Sequence, residues 1–281
     1  MAGKLFLCAT PIGNLEDITY RVLRILKEVD LIAAEDTRHS LKLLNHFEIK
    51  TPMTSYHEYN KVAKAKYLVS LLQEGKNIAV ITDAGTPGIS DPGEEVVRQC
   101  HEAGIEVSSV PGPAACITAL TMSGLRTRRF AFEAFLPSDK KERQMVLEEL
   151  KEETRTIILY EAPHHLVQTL KELFDALGDR DMTLCKELTK KHERAEKSTI
   201  SELLAKFETE EPRGEYVLVI EGKTFEEKKL EKQKDWCSIS IPEHMEHYMS
   251  QGIDKKDAMK MVAKDRGVSK RDIYKEMYQL S

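Results

Sequence analysis

Cysteine is sparse in this 281-residue sequence: Cys8, Cys100, Cys116, Cys185 and Cys237 are scattered, odd in number and form no C-x-x-C pair. Neither a disulfide framework nor a thiolate zinc site is supported, and such usage implies a reducing cytoplasm. Long apolar runs are missing as well. The N-terminal stretch MAGKLFLCATP is too short for a signal-peptide core and meets Pro11 at once, and no other stretch is long enough to span a bilayer. A soluble, cytoplasmic protein with no membrane partner is therefore expected. Excess positive charge is also absent: 42 Lys and Arg face 47 Asp and Glu, a net charge of -5. Nucleic acid would have to be held by local basic patches and not by the global field. There is no internal repeat, and no cluster of metal ligands stands out. What remains, 41% hydrophobic and 32% charged residues, is the composition of a globular protein with real cores. The length suits two ordinary domains with a small appendage.

The chain is organised around Asp83 to Gly93, DAGTPGISDPG, which follows the apolar run NIAVIT at 77–82. That run reads as a buried strand, and the glycines, prolines and aspartates behind it cannot continue as strand or helix. They form a structured loop at a strand's carboxyl end, the edge at which open α/β sheets bind ligands. Two more strand ends carry similar loops. Lys4 to Thr10 reads as a first strand broken by Pro11-Ile12-Gly13-Asn14, and Glu106 to Val110 runs into Pro111-Gly112-Pro113-Ala114-Ala115.

Between these, helical spacing predicts helices over 17–29, 40–46, 63–73 and 94–103, with a short strand at 31–34 ending in Glu35-Asp36-Thr37-Arg38. Asp36 or Thr37 is suited to cap the following helix. This alternation predicts a parallel, helix-covered sheet over residues 1–122. A second α/β domain, richer in strand pairs, is expected over 123–222. Its strands fall at 130–137, 156–160, 182–188 and 216–221, and its helices at 140–153, 164–177 and 198–207. Residues 223–281 read as a charged linker, KTFEEKKLEKQK at 223–234, and three short helices at 242–250, 254–264 and 269–279. Asp254 and Ser269 are candidate caps, each with an acid three residues on, and Gly252 and Gly267 are candidate stops. From Lys255 to Lys275 the tail is locally basic, which suits a nucleic-acid reader or a solvated lysine face.

A glycine turn after the first strand and an acid some 20 residues on suggest a dinucleotide fingerprint. Yet G-x-G-x-x-G is absent, since Gly13 stands alone between Pro11 and Asn14, so a nicotinamide or flavin enzyme ranks second. The ordered motifs ATPIGNLEDIT (9–19), EDTR (35–38), DAGTPGISDPG (83–93), VPGPAA (110–115), FLP (135–137), YEAPH (160–164), KELTKKHE (186–193) and GEYVLVI (214–220) resemble the ribosomal RNA small subunit methyltransferase I family. That family is a branch of the tetrapyrrole (corrin/porphyrin) methylase superfamily. The resemblance runs across residues 4–222, and Gly267 to Arg271 resemble its small helical tail. Two positions depart from it: Ala134 stands where glycine precedes FLP, and His165 where arginine follows Pro-His, a neutral histidine being the poorer phosphate partner.

The resemblance implies an α/β, two-domain tetrapyrrole-methylase-like fold with a cofactor cleft between the domains, plus the small helical module. It further implies S-adenosylmethionine as cofactor, a homodimer, and 2'-O-methylation of a cytidine ribose in the decoding region of 16S rRNA, on free rRNA or on the small ribosomal subunit. Pro11, Gly13, Thr86, Gly88, Ile89, Pro113, Ala114 and Ala115 are then the expected cofactor contacts. Glu35, Asp36 and Arg38, with His57, Glu58 and Asn60, are expected to face RNA, and Lys190, Lys191, Lys270 and Arg271 to bind it. In-line methyl transfer asks chiefly for alignment of the two reactants, and a base for the hydroxyl proton adds to it. Asp36, His57, Glu161 and Glu187 are candidates for that base, with Arg38 beside them as the phosphate contact. His57 is equally suited to a structural hydrogen bond, and Glu161 to a helix-start acid. Alternative readings are a tetrapyrrole C-methyltransferase and a catalytically silent RNA-binding assembly factor.

Overall fold

The computed structural model describes residues 2–278. Ten strands and twelve α-helices follow one another along these residues. The first half holds β1 (Lys4–Cys8), α1 (Tyr20–Glu28), β2 (Leu31–Ala34), α2 (Thr37–His46), β3 (Met53–Ser55), α3 (Lys61–Gln73), β4 (Ile78–Ile81), α4 (Gly93–Glu102), β5 (Glu106–Val110) and α5 (Ala115–Met122). Then come β6 (Phe130–Ala134), α6 (Lys140–Lys151), β7 (Thr156–Glu161), α7 (Pro163–Leu177), β8 (Asp181–Lys186), β9 (Arg194–Thr199), α8 (Ile200–Lys206) and β10 (Tyr216–Ile220). The last four are α9 (Phe225–Ser238), α10 (Ile241–Met249), α11 (Lys255–Arg266) and α12 (Lys270–Met277). The helix expected to run to Gln279 is described to Met277; residue 279 lies outside the described residues.

The first sheet has the order β3-β2-β4-β1-β5, with every pairing parallel. Its central strands are apolar on both faces, and Ile78 to Ile81 are buried throughout, as a sheet covered on both sides requires. One layer packs Leu5, Leu7 and Val80 against α3 and α4 through Leu68, Leu72, Val96 and Cys100. The other packs Cys8, Ile32 and Ile81 against Val22, Leu26 and Leu44 of α1 and α2. The second sheet has the order β6-β7-β10-β8-β9. There β6 and β7 run parallel, while β10 pairs antiparallel with β7 and β8, and β8 with β9. On one face lie α6, α7 and α8; on the other α5 brings Cys116, Ala119 and Leu120 against Ile158, Cys185 and Val217.

The described chain falls into two compact units, the residues up to Lys151 with Arg155–Glu221, and Glu152–Thr154 with the residues from Gly222 on. Both sheets belong to the first. In the second, α10, α11 and α12 enclose a core of Ile241, Met245, Ala258, Val262 and Ile273. Asp254 and Ser269 cap α11 and α12 as expected, and Gly267 ends α11 at a φ of 69°. The charged run expected to be a linker is instead helical: Thr224 and Glu227 form a reciprocal capping box that starts α9. Among the described residues no helix is long and apolar enough to cross a membrane.

Candidate active site

The carboxyl ends of β1, β4 and β5 open on one edge of the first sheet, where three loops are tied together. Thr10 and Gly85 exchange backbone hydrogen bonds, at 2.9 Å from Thr10 N–H to Gly85 O and 3.1 Å in return. Thr10 Oγ1 donates to Thr82 O at 3.1 Å, and Thr86 Oγ1 donates to Pro113 O at 2.9 Å. The loop behind β4 is folded around Asp91. Its carboxylate accepts N–H groups from Gly88 (2.9 and 2.8 Å), Ile89 (3.2 Å) and Gly93 (2.7 Å). Gly88 sits at a φ of +85°, a conformation that side-chain-bearing residues rarely adopt.

Two adjoining cavities lie beside these loops and share Ile12, Ala84 and Glu215 in their walls. The first, of about 440 Å³, is lined by Thr86 and Ile89, by Ala114 and Ala115, and from the second sheet by Phe135, Tyr160 and Glu161. Its wall is apolar with small residues and exposed backbone, and its size is that of a site for a nucleoside-sized ligand. Tyr160 fixes the rim: its hydroxyl accepts the Cys116 N–H at 3.0 Å at the start of α5, and burial raises its pKa. The second cavity, of about 600 Å³, is more polar, with Pro11, Gly13, His39, Lys42, His46 and Asp83 among its lining. Gly13 is there because the chain passes close: a Cβ on it would lie 2.6 Å from Lys190 Cγ.

The expected cofactor residues thus divide. Thr86, Ile89, Ala114 and Ala115 line the first cavity, Pro11 and Gly13 the second, while Gly88 and Pro113 shape the loops through their backbone. Of the base candidates, Glu161 lines the first cavity but is committed to its own helix: Oε2 accepts from Thr169 Oγ1 at 2.5 Å and Oε1 from Ala162 N–H at 2.8 Å. Asp36 caps α2 and grips Arg38 by a two-pronged contact, Oδ1 to Nε at 3.3 Å and Oδ2 to Nη2 at 3.1 Å. Those bonds hold its carboxyl down at about 2, which makes it a poor proton acceptor near neutrality. Glu35 accepts from Thr82 Oγ1 at 2.6 Å.

His57 Nε2 lies 3.2 Å from Asn60 Nδ2, its Nδ1 is buried without a partner, and it lines neither cavity. Glu187 accepts the Glu215 N–H at 2.9 Å and Lys190 Nζ at 3.0 Å, contacts that lower its pKa. Lys190 is therefore paired, with Glu215 as second partner at 2.8 Å, and Lys191 is the exposed one of the two. Lys270 and Arg271 are exposed on α12 of the second unit.

Sequence reasoning passed over Asp83, His39 and Lys42 as candidates. Asp83 lines the second cavity, accepts the Asp36 N–H at 3.1 Å, and has its pKa raised, chiefly by burial. Its place at the head of the organising loop was the available signal. His39 and Lys42 share one face of α2 at a spacing of three, which follows from Asp36 starting that helix.

Paired α/β layers with a ligand-sized cavity at strand ends form a ligand-binding α/β architecture. Residues 4–204 match the family Tetrapyrrole (Corrin/Porphyrin) Methylases. The fold is similar to a diphthine synthase (TM-score 0.63, 13% identity, covering 79% of this chain and 91% of that one). It is also similar to a uroporphyrin-III-C-methyltransferase from Thermus thermophilus (TM-score 0.55, 21% identity, covering 77% and 94%). Two relatives are named ribosomal RNA small subunit methyltransferase I. The protein from Halalkalibacterium halodurans is 48% identical over 99% of this chain and 95% of its own length. The one from Bacillus subtilis is 47% identical over 97% and 93%. The chain belongs to the ribosomal RNA small subunit methyltransferase I family of tetrapyrrole methylases.

Proposed function

We propose that the protein transfers a methyl group from S-adenosylmethionine to the 2'-oxygen of a cytidine ribose in 16S rRNA, in the decoding region, acting as a cytoplasmic homodimer. The observation that carries this reading is the near full-length identity of 48% to a protein named for small-subunit rRNA methylation. In this reading residues 1–122 and 123–222 are the two catalytic domains and 223–281 an appended module.

The small-residue, apolar first cavity suits the nucleoside and thioether parts of the donor, and the bound donor supplies an electrophilic sulfonium methyl. Thr86, Ile89, Ala114 and Ala115 hold it, while Asp91 keeps the loop behind them in shape. The adjoining second cavity receives the acceptor nucleotide, with Lys42 and His39 on the phosphate side. Asp83 takes the hydroxyl proton. It opens on that cavity, and burial raises its pKa, whereas the bonds to Arg38 hold that of Asp36 down. Alignment of the reactants supplies most of the acceleration, on the order of 7–11 kcal/mol, and the base a further hundredfold or more.

The test is Asp83→Asn measured by single-turnover methyl transfer beside a donor titration. A loss of about a hundredfold in rate with unchanged donor affinity supports the assignment. Full rate removes Asp83 from the chemistry. Failure of the unmodified protein to bind S-adenosylmethionine removes the cofactor reading itself.

A further inference from the structure

The second unit carries a groove of about 400 Å³ between α9 and α11, lined by Phe225, Lys228, Lys229, Lys232, Gln233, Trp236, Lys264 and Asp265. The α9 residues among these are spaced three, four, seven, eight and eleven from Phe225, so they form one helical face. Phe225 is 78% exposed. Trp236 is held by one ring face on the fully buried His244, with centroids 3.8 Å apart and planes 5° from parallel. It is thus a fixed aromatic wall and not a free side chain.

Lysine predominates in the groove lining, four ammonium groups standing against the single carboxylate of Asp265. Glu227 closes the capping box of α9, and Glu231 turns to Lys223. Asp265, the acid in the lining, is taken by the Tyr248 hydroxyl and lies 3.4 Å from His244 Nε2. Among the described residues Lys228, Lys229, Lys232 and Lys264 enter no ion pair, whereas Lys223 and Lys260 of the same unit do. Four unpaired cations lining a trough with two aromatic rings combine a track for a polyanionic backbone with platforms for flat bases. A protein partner of acidic character would use the charge and leave the rings unexplained.

We propose that this groove binds a single-stranded RNA segment, phosphates lying along Lys228, Lys229, Lys232 and Lys264 and bases against Phe225 and Trp236. The proposal rests on the reading of the chain as an rRNA methyltransferase and adds to it a second RNA contact outside the reaction site.

Trp236 is the sole tryptophan of the chain, so its emission reports on the groove alone. The full-length protein is titrated with a single-stranded oligoribonucleotide at several salt concentrations, in parallel with methyl transfer. The expected result is saturable quenching whose salt slope falls by about 1.4 in Lys228→Ala/Lys232→Ala, at roughly 0.7 per lost phosphate contact on a single strand. Phe225→Ala, at an exposed position, weakens binding roughly fivefold or more while thermal unfolding is unchanged. RNA binding without a change in Trp236 emission overturns the proposal, as does equal quenching by polyglutamate or by anionic vesicles. Loss of methyl transfer with the emission change intact would fail the catalytic reading and leave the groove standing; transfer without the emission change would do the reverse.

Discussion

The carboxylate of Asp91 receives the Gly88 N–H through both oxygens, at 2.9 and 2.8 Å, and so closes the loop that borders the first cavity. In Asp91→Ala three backbone N–H groups lose an ionised acceptor, each such bond contributing about 1.5–3 kcal/mol. Affinity for S-adenosylmethionine is expected to drop at least tenfold in calorimetric titration. Gly88→Val, forced to a φ of +85°, is expected to lose donor binding altogether. Normal titration of either variant would show that this loop does not hold the donor.

Arg38 projects from α2 with a side chain 90% exposed, its guanidinium steadied by Asp36. Arg38→Ala is expected to weaken RNA binding and to reduce the salt slope by about 0.7 while donor affinity is preserved. Unchanged RNA binding at low salt would remove Arg38 from the RNA face.

Ala134 occupies a left-handed backbone position, φ 52°, at a register shift between β6 and β7. Such a conformation costs a non-glycine residue roughly 1–2 kcal/mol, and the extra freedom of an unfolded glycine takes back about 0.4–1. Ala134→Gly is therefore expected to stabilise the protein by about 0.5–1 kcal/mol in denaturant titration. A destabilised variant would mean that the alanine methyl packs more favourably than the backbone is strained.

His244 is fully buried, and its pKa is lowered below 6.5, first by burial and then by the charge of Arg266. Below pH 6.5 the unfolded chain takes up a proton that the folded second unit resists, so stability present above that pH is lost as the pH falls. Thermal unfolding followed by Trp236 emission is expected to shift to lower temperature between pH 7 and 5, and to shift less in His244→Gln. Equal shifts in both would place the titration elsewhere.

Much of this architecture was legible because the central strands β2 and β4 of the parallel sheet are uninterrupted apolar runs. The bounds of β2 and β5 match the periodicity reading residue for residue, and Asp36 caps α2 as its position after a strand suggested. The strands that escaped notice lie at sheet edges. β3 is three half-buried residues, and β9, RAEKST, is polar with three of its six residues exposed, which protects an edge but erases the hydrophobic alternation. α9 was hidden for a related reason: its groove-lining face is largely lysine, so no apolar stripe marked it, although Thr224 and Glu227 announced its start.

The site was less legible than the fold. Loops rich in glycine and proline located the cavity edge, but side-chain roles depend on partners far along the chain. Glu161 is taken up by Thr169, and Glu187 by Lys190 and the Glu215 N–H. Asp83 belongs to the second cavity because β4 lies beside β2 and brings it to the start of α2.

The most direct test of the account is transfer of labelled methyl from S-adenosylmethionine to small ribosomal subunits lacking the modification, followed by nuclease digestion and identification of the labelled nucleoside. The expected labelled product is 2'-O-methylcytidine. Label on a nucleobase, or a bound donor with no label entering RNA while a tetrapyrrole accepts it, would contradict it.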